Sequence, residues 1–190
     1  MKPLLLSLAL LCAPVCVLSQ GVVAFRNDNL TSPPDRLVRC WDMTTPLTGT
    51  TFAAQLWYGN DPASLQGHPT LAYFRAPTTS SPGTWSGGNR TLTGVGGVGT
   101  TIWLQVVVWD SGVNRTVTFD QARASGGGWS MGNVFSYTQQ LSSPPNPSED
   151  TKMLNFAGFT GPCLVPEPSV GLLLLPVAAV MWLLKRKPKH

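Results

Sequence analysis

Thr101-Ile102-Trp103-Leu104-Gln105-Val106-Val107-Val108-Trp109 is the stretch on which the fold turns. Ile102, Leu104, Val106 and Val108 fall on one side at a period of two, with Trp103, Gln105, Val107 and Trp109 on the other, the pattern of a β-strand. Upstream, Phe52-Ala53-Ala54-Gln55-Leu56-Trp57-Tyr58 repeats it, with Phe52, Ala54, Leu56 and Tyr58 on one face and Gln55 and Trp57 on the other. Gly21–Arg26 reads as an apolar opening strand. Asn133–Thr138 and Met153–Phe159 read as closing strands joined by the Pro-rich loop Ser142–Ser148. Turn chemistry separates the runs at Gly59-Asn60-Asp61-Pro62, Ser81-Pro82-Gly83, Gly94–Gly99, Asp110-Ser111-Gly112 and Gly126–Gly128. No segment of this middle carries a helical period, and Thr118–Ala124 suits only a short turn.

Short strands punctuated by Gly and Pro predict an all-β ectodomain over residues 20–160, an antiparallel β-sandwich of immunoglobulin-like or jelly-roll-like kind. Composition agrees. Of 190 residues only 12% are charged, while 19 Gly and 17 Pro are spread along the chain, which excludes a coiled coil, a helical bundle and a charged disordered tail. The net charge of +4 is a property of the ends: Lys2 lies at one, and Lys185, Arg186, Lys187 and Lys189 crowd the other. Between Gln20 and Leu164 eight basic residues balance eight acidic ones, so the folded part lacks the basic face of a nucleic-acid binder.

Residues 1–19 read as a secretory signal peptide, with Lys2, an apolar run from Leu4 to Leu11 and beyond, and Val17 and Ser19 before a cut ahead of Gln20. Pro14 and the short span argue against a plain membrane anchor. Leu11 and Val15, directly before Cys12 and Cys16, argue against lipoprotein processing. At the far end a stem over residues 161–169 contains Pro166-Glu167-Pro168 and leads into the apolar run 170–184 and the basic end 185–190. The run suits one short transmembrane helix in which Pro176 is tolerable. The basic cluster would stay in the cytoplasm and leave the ectodomain outside. A lipid-anchor signal would end in its apolar tail, whereas this chain ends in charge.

This three-part end resembles the PEP-CTERM sorting signal of Gram-negative bacteria, also called an ice-binding-protein C-terminal domain: Pro166-Glu167-Pro168, an apolar helix at Val170–Leu184, and Lys185, Arg186, Lys187 and Lys189. The cluster is mostly Lys where Arg is commoner. The resemblance implies recognition by the membrane protease-transpeptidase exosortase, removal of the tail, passage through the inner membrane, and delivery to the cell surface or the extracellular space. The ectodomain, from Phe52–Gly59 through Trp85 and Asn89-Arg90-Thr91 to Trp109, is similar to uncharacterised PEP-CTERM surface proteins of verrucomicrobial and planctomycete-type bacteria, a resemblance that brings no catalytic residues. Its link to exopolysaccharide-producing bacteria makes a non-catalytic matrix component the leading expectation.

Tryptophan is the surplus with chemical potential. Trp57 shares a face with Gln55, and Trp103 and Trp109 share one with Gln105, which is how ring area and amide hydrogen bonds are combined to grip a sugar. Filling the core is the stronger claim on these residues, since Trp is mostly buried. Trp85 and Trp129, in Gly/Ser-rich surroundings, are the best candidates for exposure and for contact with exopolysaccharide. A carbohydrate-binding module is therefore the alternative function, and a secreted polysaccharide hydrolase the third. The hydrolase has little to build on. Nearly all of Asp28, Asp35, Asp42, Asp61, Asp110, Asp120, Glu149 and Asp150 adjoin turn residues, and the ectodomain has one histidine, His68, and no Gly-x-Ser-x-Gly. That single histidine rules out a His-based metal cluster, and no cofactor is implied. The two cysteines left after signal removal, Cys40 and Cys163, either pair in a disulfide or remain free with Cys163 in the stem. Asn89–Thr93 and Asn114–Thr118 repeat Asn-Arg-Thr-x-Thr. The spacing aligns hydroxyls on a strand face, but two copies are too few for an ice-binding ladder, so turn-then-strand is expected. With Asn29-Leu30-Thr31 they are formal glycosylation acceptors, without general use in a bacterium.

Overall fold

The computed structural model of the chain describes residues 20–28, 35–139, 153 and 155–163. The expected signal peptide, Asn29-Leu30-Thr31, the Ser142–Ser148 loop, Glu149, Asp150, Pro166-Glu167-Pro168, the apolar run and the basic end lie outside these residues. Among the described residues, eight strands and one short helix follow in the order β1 (Gln20–Arg26), β2 (Phe52–Gly59), β3 (Gln66–Gly67), β4 (Ala72–Tyr73), β5 (Ser86–Gly97), β6 (Thr101–Asp110), α1 (Phe119–Ala124), β7 (Trp129–Met131) and β8 (Phe135–Thr138). All pairings between these strands are antiparallel.

The larger sheet grows from β2 and β6, paired from Phe52↔Asp110 to Gly59↔Trp103. β3 and β4 pair with the outer edge of β2, and β7 and β8 with the outer edge of β6. β1 and β5 form the second sheet. One core joins the two. Ile102, Leu104, Val106 and Val108 of β6 are fully buried, together with Leu56 of β2, Val23 and Phe25 of β1, and Leu92 of β5. The alternation read from 101–109 thus orients β6 as expected. Fully burying side chains of this kind stabilises by about 1.5–3 kcal/mol each.

The opposite face of β6 has its own small core. Ala53, Val107 and Trp109 pack under Phe119 and Ala122 of α1. Thr118 caps this helix: its Oγ1 accepts the Gln121 N–H at 3.2 Å, and Gln121 Oε1 accepts the Thr118 N–H at 2.9 Å. The expected short turn at Thr118–Ala124 is therefore a capped helix. Each end is bonded locally, and its two buried residues lie three apart on one side.

Two other segments depart from expectation. The described residues of Met153–Phe159 form no strand. Met153 and Phe156 are buried in the core, and the Phe156 N–H turns back to the Met153 carbonyl at 2.9 Å, so side-chain insertion replaces a ladder. Residues 158–161 then run beside residues 35–39. Gly158 donates to the Asp35 carbonyl at 2.8 Å, Arg39 to that of Phe159 at 3.0 Å, and Gly161 to that of Arg39 at 2.6 Å. Residues 161–163, assigned to the stem by sequence, thus belong to the folded part. In the second departure β5 continues through the expected Gly94–Gly99 turn as far as Gly97, pairing Gln20 with Gly97, and the chain reverses at Thr100, whose N–H donates to the Gly97 carbonyl at 3.0 Å.

Cys40 and Cys163 are joined in a disulfide, with their Cα atoms 5.1 Å apart. Next to it, Asp42 Oδ1 accepts the N–H groups of Thr44 and Thr45 at 2.9 and 2.8 Å and shapes the loop. Hydrogen bonds from Thr45, from both side chain and backbone, lower the Asp42 pKa to about 2.

Candidate functional site

A cleft of about 450 Å³ opens where the second core meets the surface, between β2, the residues around β3 and the segment leading into α1. Its volume lies in the range of small-ligand sites. β2 supplies Gln55 and Trp57, which the period of two puts on the same side. The Trp57 indole N–H donates to Gln55 Oε1 at 3.0 Å, and Gln55 Nε2 donates to the His68 carbonyl at 2.9 Å. Each end of the amide keeps one further hydrogen-bonding position. Gly67 permits this packing, since a Cβ there would lie 2.9 Å from Gln55 Nε2 and 3.2 Å from Trp57 Nε1.

The facing wall is Arg115, Thr116, Val117, Thr118, Phe119 and Asp120. Trp109 Nε1 donates to the Val117 carbonyl at 2.7 Å and pins this segment to the sheet. Arg115 holds a left-handed backbone, φ 55°, which is uncommon for a residue with a side chain. Its guanidinium lies over Tyr73, 4.1 Å from the ring centroid, and Nε donates to the Thr50 carbonyl at 3.0 Å. Asp120 is exposed and, among the described residues, in no ion pair, so Arg115 and Asp120 line one cleft without neutralising each other.

The tryptophans separate into distinct roles. Trp85 is wholly buried, its ring centroid 5.3 Å from Phe74, 5.4 Å from Phe25 and 5.8 Å from Phe156, so the expectation that it is exposed for sugar contact fails. It bridges Phe74 across an antiparallel pair, and the exposed Ser86 beside it gives no sign of this, because a strand residue points away from the one that follows it. Trp109 is also buried, 1% exposed, and meets Phe119 at 5.7 Å. Trp129 is half-buried with its ring nearly perpendicular to Phe119, and Trp103 is half-buried, both outside the cleft lining. Trp57 alone of the five is a half-buried ring lining the cleft.

Nothing in the local sequence marks Arg115, Thr116, Thr118 and Asp120 as binding residues. The second Asn-Arg-Thr-x-Thr copy contains three of them, and it adopts a turn and an extended lead-in to α1, whereas the first copy lies within β5. Thr118-Phe119-Asp120-Gln121 is a capping-box sequence, the signal that would have placed a helix over the sheet.

The carboxylates in the described part are otherwise engaged in structure. Asp28 is buried between Arg26 and Arg75, Asp35 pairs with Arg39 at 2.8 Å, and Asp61 and Asp110 accept N–H groups of Ala63 and Gly112 in their own turns. Asp120 is the one carboxylate lining the cleft. His68 has its pKa lowered by partial burial and secondarily by the Arg90 charge. Burial also lowers that of Arg90, which donates to the Leu71 carbonyl at 3.2 Å. Among the described residues no group of His, Cys, Asp and Glu is placed to hold a metal, and no helix is long and apolar enough to cross a membrane. No family model, curated protein or solved structure matches this chain.

Proposed function

We propose that this protein is a non-catalytic component of the cell surface or extracellular matrix, exported by its signal peptide and sorted through a PEP-CTERM tail that exosortase removes. The ectodomain is read as a sandwich of immunoglobulin-like or jelly-roll-like kind. The observation that carries the reading is the Cys40–Cys163 disulfide, a bond typical of chains that fold outside the cytoplasm. It closes the fold three residues before Pro166, so a cut at the Pro-Glu-Pro motif would release an intact domain. The use of Asp28, Asp35, Asp61 and Asp110 in turns and ion pairs supports a binding role over a hydrolytic one, which needs two carboxylates across a cleft.

Intact mass of the protein from fractionated cells and medium tests the sorting. The expected form begins near Gln20, ends near Pro166–Pro168 and is found outside the inner membrane. A form that keeps residues 170–190 in the inner membrane would replace sorting with a permanent single-span anchor.

A second reading concerns what the domain does there, and the pairing of Trp57 with Gln55 in a cleft favours it: the domain holds exopolysaccharide. Co-sedimentation of the protein with polysaccharide extracted from the producing cells tests this, and a protein left wholly in the supernatant would refute it.

A further inference from the structure

We infer that the cleft between β2 and the Arg115–Asp120 segment is the saccharide site, and that it takes an uncharged sugar unit through two adjacent hydroxyls. The inference rests on the exopolysaccharide-binding reading and assigns that reading its residues and ligand class.

The chemistry of the walls argues for a sugar. Trp57 presents ring area to the cleft, suited to the C–H face of a pyranose, and its indole N–H is already satisfied by Gln55, so the ring offers apolar surface without an unpaired donor. Around it stand groups that match hydroxyls one for one. Gln55 keeps one donor and one acceptor. Thr118 Oγ1 already accepts the Gln121 N–H, which leaves its own hydrogen to donate. Thr116 adds a second hydroxyl. Asp120 has two carboxylate oxygens and no ion-pair partner among the described residues, the arrangement that accepts two neighbouring O–H groups in charge-assisted bonds.

Charge selects the class. One cation, Arg115, and one anion, Asp120, line the cleft, so it has no net attraction for an acidic sugar, and the Asp120 carboxylate repels one. Arg115 is held at the rim by Tyr73 and the Thr50 carbonyl in its left-handed conformation, so little ordering remains when a ligand arrives. Strained conformations of this kind concentrate at binding sites.

The test is affinity electrophoresis of the protein purified from its producing cells, in gels containing polysaccharide from those cells and, separately, dextran, xyloglucan, galactomannan and alginate. Retardation is expected with the cell-derived polysaccharide and at least one uncharged polymer. D120N, an exposed substitution that leaves the core untouched, should weaken that binding about tenfold, the loss of one charge-assisted contact pair. W57A should weaken it at least as much, while W103A, outside the cleft, should leave it unchanged. Near-ultraviolet circular dichroism checks that W57A keeps its fold, and D120N decides the matter if it does not. Wild-type retardation that D120N leaves intact overturns the assigned site while saccharide binding stands. Retardation by alginate alone overturns the uncharged ligand class. No retardation by any polymer, the cell-derived one included, overturns both the site and the reading beneath it.

Discussion

Trp85 and His68 show how single side chains are settled by what surrounds them. Trp85 fills the centre of the core between Phe25, Phe74 and Phe156, and its backbone N–H is anchored by the buried Asn27 Oδ1 at 2.7 Å. Its indole Nε1 is buried and has no hydrogen-bond partner among the described residues. Truncating it should therefore cost two different amounts. W85A should lower unfolding free energy by about 3–5 kcal/mol in urea denaturation. W85F should cost distinctly less, because it retains a ring and removes the unpaired N–H, itself a burden of about 1–3 kcal/mol. Equal losses in the two variants would overturn this account of Trp85, since the retained ring alone should make W85F the milder change. His68 titrates below its ordinary value because burial, then the Arg90 charge, disfavours the imidazolium. A folded-state pKa below the unfolded one means the unfolded chain binds the proton more readily. The His68 contribution to stability is thus fully present above the unfolded value near 6.5 and is lost as pH falls through the folded-state pKa. An NMR titration should place the His68 ring below 6.5, and H68Q should flatten stability across that window.

At the scale of elements, β6 was legible and what covers it was not. Strict alternation over Ile102–Val108 identified the strand and the side facing the main core. It left open whether Val107 and Trp109 face water, because a period of two reports sidedness and says nothing of a cover placed by a later segment. That cover is α1, six residues long and too short for a helical period to register. Its existence depends on Thr118, so T118A should cost about 1 kcal/mol in urea unfolding and should also raise solvent quenching of Trp57 and Trp129, which rest on Phe119. Unchanged quenching would mean that the second core holds without the cap. The C-terminal segment departs from its strand-like pattern for a related reason. Met153 and Phe156 are apolar as in a strand, but a turn drives both into the core, and Gly158 then passes so close to residue 37 that a Cβ would sit 2.2 Å from the Leu37 carbonyl oxygen.

For the molecule as a whole, the decisive constraint is the bond that ties Cys40 to Cys163 across 123 residues of separation. In the chain-entropy account a loop of that length stabilises by on the order of 4–5 kcal/mol, so C40S/C163S should show a loss of that order in urea, and an unchanged midpoint would mean the strap formed by residues 158–161 is held by its backbone bonds alone. Local periodicity was enough to determine the all-β class, the β2 and β6 strands and the pairing of Gln55 with Trp57 on one face, because these depend on neighbours along the chain. The proposed signal peptide and PEP-CTERM-like end rest on sequence features alone, since they are read from contiguous patterns of charge, apolar length and Pro-Glu-Pro. Only the tertiary structure decided which tryptophans are core and which line a cleft, and that Arg115 and Asp120 stand across from Gln55 and Trp57. Those relations join residues some 60 positions apart, and burial is set by what packs on a face, which no local pattern in either segment records.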